Sequence, residues 1–233
     1  NLFFGLTGRR PDGFHQVDTV MTSISLYDQL VMEPRDNPQI RLQCCWSYPN
    51  HASLGLEELP TTNSNLVYRA VKLLQSECDV QHGAEIVLRK QVPSQAGLGG
   101  GSSDAMAALC AANLAWNLGL SREELRALGA QLGSDVPFFA FRSLARCTGR
   151  GEIISPLRQP GSLHFVVVKP NFGLSTGLVF GQAVIPDRPI PSESIISAIG
   201  SMDLAQIGKL LFNRLQQAAA CLTPWVEEVG RVM

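Results

Sequence analysis

Apolar positions recur along this chain with two different periods, and the period sets the element expected at each place. Alternating or unbroken apolar runs in QLVMEP (29–34), QIRLQCCW (39–46), AEIVLRK (84–90) and LHFVVVKP (163–170) predict strands, each bounded by Pro, Asn, Asp or Gly. Helical spacing takes over in NLVYRAVKLLQSE (65–77), where Leu66, Ala70, Leu73 and Leu74 recur at helical intervals. Residues 105–117 are rich in strong helix formers and are closed by Gly119. Ser121 and Glu124 make a capping box that opens REELRALGAQL, and Gly133 stops it. Strands and helices mix without the regular alternation of a doubly wound parallel sheet, so the expected class is α+β. The prolines of AVIPDRPIPSESIISAIG mark a loop, or a boundary between an N-terminal part and a helical C-terminal part.

One stretch fits neither period. PSQAGLGGGSSDA (93–105) sets Gly97, Gly99, Gly100 and Gly101 between a strand and a helix. Each glycine costs about 0.5–1 kcal/mol of chain entropy relative to Ala, which a plain connection has no reason to incur four times. Without Cβ atoms, backbone N–H groups approach a ligand closely, and the following helix adds unpaired amides and the positive end of its dipole. Ser102 and Ser103 add hydroxyls, and the whole suits a polyphosphate. The plainer reading is a flexible connection with Ser103 as a helix cap. Other phosphate motifs fit worse: no Lys follows the glycines as in a Walker A loop, and Ser102 stands where a dinucleotide motif needs its third glycine. A Ser/His hydrolase is disfavoured by the absence of a G-x-S-x-G elbow.

Composition narrows the classes further. At 233 residues and 45% hydrophobic content the chain supports an ordinary core. A net charge of −1, from 19 basic and 20 acidic residues spread along the chain, offers no basic stripe for nucleic acid or an anionic membrane. The six cysteines show no metal-type spacing with the four histidines, so no metal site is expected, and buried thiols in a reducing cytosol are the simplest reading. No apolar run approaches a bilayer span, and NLFFGLTGRR lacks the features of a signal peptide; a cytoplasmic protein, monomer or homodimer, is expected.

The stretch 93–105 resembles the second motif of the GHMP kinases, P-x-x-x-G-L-G-[GS]-S-S-x-x-A. Further likenesses are NLFFGLTGRRPDGFHQVDTV at the start, NLVYRAVKLL, LGSDVPFF (132–139) and VVVKPNFGLSTGLVF (166–180), so the resemblance extends over residues 1 to about 225. The Gly-Phe-His and Ser-Asp-Val-Pro-Phe-Phe stretches resemble the branch that phosphorylates the 2-hydroxyl of 4-diphosphocytidyl-2-C-methyl-D-erythritol, on the non-mevalonate route to isoprenoid precursors. The resemblance implies a two-domain fold, an N-terminal ATP-binding domain of ribosomal-S5-like type (1–155) and a C-terminal α+β domain (156–233), the latter incomplete. The family's lysine two positions before Asn1 and its third glycine-rich motif lie outside the chain, which reads as a sequence cut at both ends.

Roles follow by resemblance. Pro93, Ser94, Gln95, Ala96, Gly97, Leu98, Gly99, Gly100, Gly101, Ser102 and Ser103 would wrap ATP, with Asn65 near the adenine and Mg²⁺ on the phosphates. Asp135 would take the acceptor hydroxyl's proton. Phe14 would stack on the cytosine, His15 would bond its polar edge and Phe180 would cover its other face, with Asn1 and Thr176 also at the substrate. On the residues alone several of these have plainer readings: Asp135 and Asn65 as helix caps, His15 as a structural histidine, Phe180 as core, and Thr176 as a turn. A kinase for another small alcohol, or a non-catalytic nucleotide binder on the same fold, are the competing functions.

Overall fold

The strands sort into two sheets, and each sheet has its own core. The structure is a computed structural model and describes all residues except 50, 52–55, 57, 142–143, 159, 171–172 and 233. In chain order it contains β1 (Phe3–Arg9), β2 (His15–Met21), β3 (Gln29–Arg35), β4 (Ile40–Trp46), α1 (Leu66–Glu77), β5 (Gly83–Lys90), α2 (Gly100–Ala115) and α3 (Arg122–Leu132). A 3₁₀ helix (Val136–Ala140) follows, then β6 (Ala145–Gly149), β7 (Ile153–Pro156), α4 (Thr176–Gly181), α5 (Glu193–Gly200), α6 (Leu204–Leu210), β8 (Phe212–Asn213), α7 (Leu215–Leu222) and α8 (Trp225–Val232). Two compact units result, Ser25–Ala140 and Asn1–Ile24 with Phe141–Met233. They follow the density of contacts, whereas the division read from the sequence lies at 155/156, at the end of β7.

In the 25–140 unit the sheet order is β3-β5-β4, with β3 antiparallel and β4 parallel to β5. The β4–α1–β5 segment is the crossover that parallel pairing requires. Alternation places Leu30 and Met32 of β3, Ile40, Leu42 and Cys44 of β4, and Ala84, Ile86 and Leu88 of β5 on the face that packs in one cluster with α1 and α2. Pro34 is accommodated because β3 is an edge strand. Helix α1 buries Val67, Ala70, Val71 and Leu74, so the buried stripe lies about one position from the expected one and leaves Leu66 and Leu73 only half-buried. The capping box of α3 forms as expected, Ser121 Oγ accepting from the Glu124 amide at 3.3 Å while Glu124 Oε2 accepts from the Ser121 amide at 2.8 Å.

In the other unit the order is β7-β6-β2-β1-β8, antiparallel except for the short parallel pairing of β8 with β1. Its core gathers Leu2, Phe3, Val20 and Leu144 with Ile195, Ala198 and Ile199 of α5 and Ile207 of α6. Asp18, buried in the middle of β2, accepts from Arg146 Nε at 2.8 Å and from Arg146 Nη2 at 2.9 Å. It also accepts from Ser192 Oγ at 2.9 Å and from the Ser192 amide at 3.1 Å. This contact pins the far end of the proline-rich segment to the sheet, and Arg214 pins its beginning through a bond from Nε to the Val184 carbonyl at 3.0 Å.

Three expectations change. Residues 163–170 form no strand; Phe165, Val166, Val167 and Val168 are exposed, because apolar β-formers settle into a ladder only beside a partner strand and none of the described strands pairs with them. Helix α2 begins at Gly100 rather than at 105, since tertiary packing overrides the low helix propensity of glycine. Of the six cysteines only Cys147 is buried, and Cys45 and Cys221 are exposed. None of the described helices is long and apolar enough to cross a membrane.

The Asp18 contact yields a stability test. Arg146→Met leaves a buried carboxylate short of its cation and lowers the unfolding free energy by about 2 kcal/mol, discounted for the partly exposed guanidinium. Ser192→Ala, which removes one hydroxyl donor, lowers it by about 1 kcal/mol. Urea unfolding measures both, and midpoints unchanged from the parent would contradict the pinning role of Asp18.

Candidate active site

Between β5 and α2 the backbone turns through three positive-φ residues at alternate positions, Gln95 at 53°, Gly97 at 68° and Gly99 at 67°. Gly99 is the N-cap of α2, and no side chain caps the helix. The amides of Gly100, Gly101 and Ser102 therefore have no acceptor within the helix, while the Ser103 amide is the first to be satisfied, by the Gly99 carbonyl at 2.9 Å. Ser103 is thus not the cap, and its hydroxyl donates to the Gly100 carbonyl at 2.8 Å. A Cβ on Gly97 would meet nothing within 4 Å, so space stands open where a ligand would come, whereas on Gly99 it would lie 2.8 Å from the Phe139 ring. The residues present fit a phosphate chain: amides without an acceptor in the helix, a helix N-terminus and open space at Gly97.

Beneath the loop lies a charged cluster that motif reading passed over. Lys90 shares the inward parity of Ala84, Ile86 and Leu88 on β5 and ends the strand with its ammonium buried. It donates to Asp104 Oδ2 at 2.6 Å and to Asp28 Oδ2. Asp28 precedes β3 and reaches Lys90 because Gln29 pairs with Arg89. Its second oxygen accepts from the amides of Gln91 at 2.6 Å and Val92 at 2.9 Å. Burial pushes Asp104 up to about 7, against the pull of Lys90 and with a further push from the Asp28 charge. The legible signal was parity: an inward-facing lysine at the end of an apolar strand requires a buried carboxylate, and Asp104 stood within the glycine motif itself.

Asp135 sits just after α3, in the turn that leads into the 3₁₀ helix. Its backbone carbonyl accepts from the Phe138 amide at 3.2 Å, but its carboxylate caps no amide among the described residues, so the cap is made by the main chain. The residue's own surface is open, yet the protein around it pushes the carboxyl above its ordinary range. Phe139, four residues on, is the ring that seats Gly99, which ties the Asp135 segment to the loop. Asn65 caps α1 through Oδ1, which accepts from the Val67 amide at 2.9 Å, and its Nδ2 donates to the Pro60 carbonyl at 2.7 Å. Both ends of that amide are therefore in use.

The other unit carries Phe14, His15 and Phe180. His15 opens β2, and its ring lies 5.3 Å from that of Phe180 on α4, which in turn meets Phe4 edge-on at 6.0 Å. Burial, aided by the Arg9 charge, lowers the His15 pKa and favours the neutral imidazole. Phe14 ends the turn after β1 and is half exposed, with the Arg150 guanidinium 4.9 Å above its ring. Asn1 donates to Thr19 Oγ1 at 2.7 Å. Thr176 is exposed at the start of the short helix α4, and the described residues among 163–175 before it form no strand. Among the described residues no group of three or more His, Cys, Asp or Glu side chains is arranged to hold a metal.

Residues 65–143, from Asn65 through the loop to Asp135, match the family model described as "GHMP kinases N terminal domain". Across essentially its whole length the chain is 36% identical to the 4-diphosphocytidyl-2-C-methyl-D-erythritol kinase of Brevibacillus brevis, covering 77% of that protein. It is 41% identical to the protein of the same name from Pelotomaculum thermopropionicum, covering 99% of this chain and 78% of the relative. The chain belongs to the 4-diphosphocytidyl-2-C-methyl-D-erythritol kinase family. A crystal structure titled 4-(cytidine 5'-diphospho)-2C-methyl-D-erythritol kinase superposes with a TM-score of 0.68 at 30% identity, covering 98% of this chain and 77% of that one. The α+β class and the GHMP kinase fold read from the motifs are therefore those of this family.

The buried cluster gives a pH test. Folded Asp104 keeps its proton up to about 7, whereas the unfolded chain releases it near its ordinary 3.8. The folded state then binds more protons across that window, and the stability this group contributes is full below about 4 and is lost as pH rises through about 7. Asp104→Asn removes the contribution, so its Tm falls less than the parent's between pH 5 and 7.5. Parallel Tm profiles would contradict the assignment.

Proposed function

We propose that this protein transfers the γ-phosphoryl group of ATP to the 2-hydroxyl of 4-diphosphocytidyl-2-C-methyl-D-erythritol, in the cytosol where ATP is at hand. The observation that carries the reading is the kinship along essentially the whole of this chain, at 36% and 41% identity, with relatives that bear this kinase's name. The open amides at the start of α2 support it chemically. In this reading the amides of Gly100, Gly101 and Ser102 take phosphate oxygens, residues 93–99 wrap the chain of phosphates, and Asn65 lies toward the adenine while it caps α1. Magnesium, carried with the phosphates at the loop of residues 93–103 and not in a cage of protein side chains, would supply charge neutralisation there.

The transition state of phosphoryl transfer is loose, and the protein's work is to place the acceptor and receive its proton. A bond forms from the substrate 2-oxygen to the γ-phosphorus, the bond from that phosphorus to the β,γ-bridging oxygen breaks, and ADP leaves. The hydroxyl proton passes to Asp135, whose upward-shifted carboxyl is a stronger base than an ordinary aspartate. Selectivity for the cytidine group rests on the other unit: Phe14 stacks on the base, the neutral His15 imidazole bonds its polar edge, and Phe180 backs the pocket. Asn1 and Thr176 add polar contacts to the substrate.

Two variants separate these roles. Asp135→Asn lowers kcat by about 10³-fold while ATP still binds, read by ADP release and by calorimetric titration. Phe14→Ala raises KM for the cytidine substrate by about ten-fold or more with KM for ATP held, consistent with the loss of one stacking partner. Full turnover in Asp135→Asn would remove the base, and an unchanged KM in Phe14→Ala would remove the base-reading pocket.

A further inference from the structure

The buried lysine and its two aspartates have no direct part in the chemistry above, yet they touch both ends of the glycine loop. On the side where the loop begins, Asp28 Oδ1 holds the Gln91 and Val92 amides. On the side where it ends, Asp104 lies in the second turn of α2, and Lys90 joins the two carboxylates. Gly100 fits into the gap: a Cβ there would lie 2.9 Å from Val92 Cγ1 and 3.2 Å from Lys90 Nζ. Lys90 is no phosphate ligand, because its side chain is only 5% exposed and two carboxylates already bind its ammonium.

We propose that Lys90, Asp28 and Asp104 form an ionic clasp that closes residues 93–99 into a fixed loop and so positions the α2 amides for the phosphates of ATP. The proposal rests on the reading of that loop as the ATP site, and it makes Lys90 a positioning residue that acts through backbone it never shares with the ligand. Amides preorganised for an anion bind it without first ordering the loop, and that advantage is lost when the loop's ends part. The elevated Asp104 fits this role, because a carboxyl that takes up a proton near neutrality places less negative charge beneath an anion site than an ordinary aspartate would.

Lys90→Met removes the cation at similar length, and Asp104→Asn keeps an acceptor at the same place while removing charge. Hydrogen–deuterium exchange followed by mass spectrometry on the ATP-free proteins reads the loop directly, and titration with ATP reads its consequence. The clasp predicts faster exchange confined to peptides spanning 91–105, and an ATP Kd raised about ten-fold in Lys90→Met and less in Asp104→Asn. It also predicts that KM for ATP rises by a larger factor than kcat falls, which a general loss of stability would not produce. Unchanged exchange at 91–105, or faster exchange spread evenly over the chain, overturns the clasp; so does loosening of the loop with an ATP Kd within two-fold of the parent's. If Lys90→Met does not fold, Asp104→Asn decides by the same readings. Should the parent protein fail to bind ATP, the loop loses its assigned ligand, while the exchange comparison still upholds or overturns the clasp.

Discussion

A backbone amide meets a phosphate oxygen only where no Cβ stands in the way and no carbonyl of the same helix has taken its hydrogen. That constraint governs the region from β5 to α2. It is met by glycine at two of the loop's three positive-φ positions, Gly97 and Gly99, and by a helix that starts inside the glycine run, so that Gly100, Gly101 and Ser102 supply the open donors. Glycine also makes such a segment floppy, so something rigid has to grip it from outside. Phe139 packs at Gly99, Val92 at Gly100, and the Lys90 ammonium ties the strand's end to the helix.

The rest of the 25–140 unit serves that junction. The alternation of β5 that builds the core face is the same alternation that delivers Lys90 inward, and the register of β3 on β5 brings Asp28 beside it. The short turn after α3 sets Asp135 four residues before the ring that seats Gly99. The second unit has its own core and its own rigid device, the Asp18 carboxylate bound by Arg146 and Ser192. Its aromatic residues differ in setting: Phe180 is braced by Phe4 and His15, while Phe14 keeps an open surface beneath Arg150.

Local signals were legible where neighbours in sequence decide the outcome. The capping box of α3, the alternation of β3, β4 and β5 and the glycine loop all belong to that class, and the motifs around them led to the right family. Long-range effects were not legible. Residues 163–170 have strong β propensity, yet a strand needs a partner and a propensity does not supply one. The start of α2 moved into the glycines because packing against Val92 and Phe139 outweighs intrinsic preference. The role of Asp104 depended on Lys90, fourteen residues away, and on Asp28, farther still. The inward parity of Lys90 was the trace left in the sequence, and it becomes a signal only once an inward charge is taken to demand a partner.

The most direct test of the account is ADP release by this protein with ATP and magnesium, offered 4-diphosphocytidyl-2-C-methyl-D-erythritol, mevalonate, homoserine and galactose in parallel. The account predicts turnover on the cytidine compound alone. Equal turnover on another of the four alcohols, or none on any of them while ATP is bound, would contradict it.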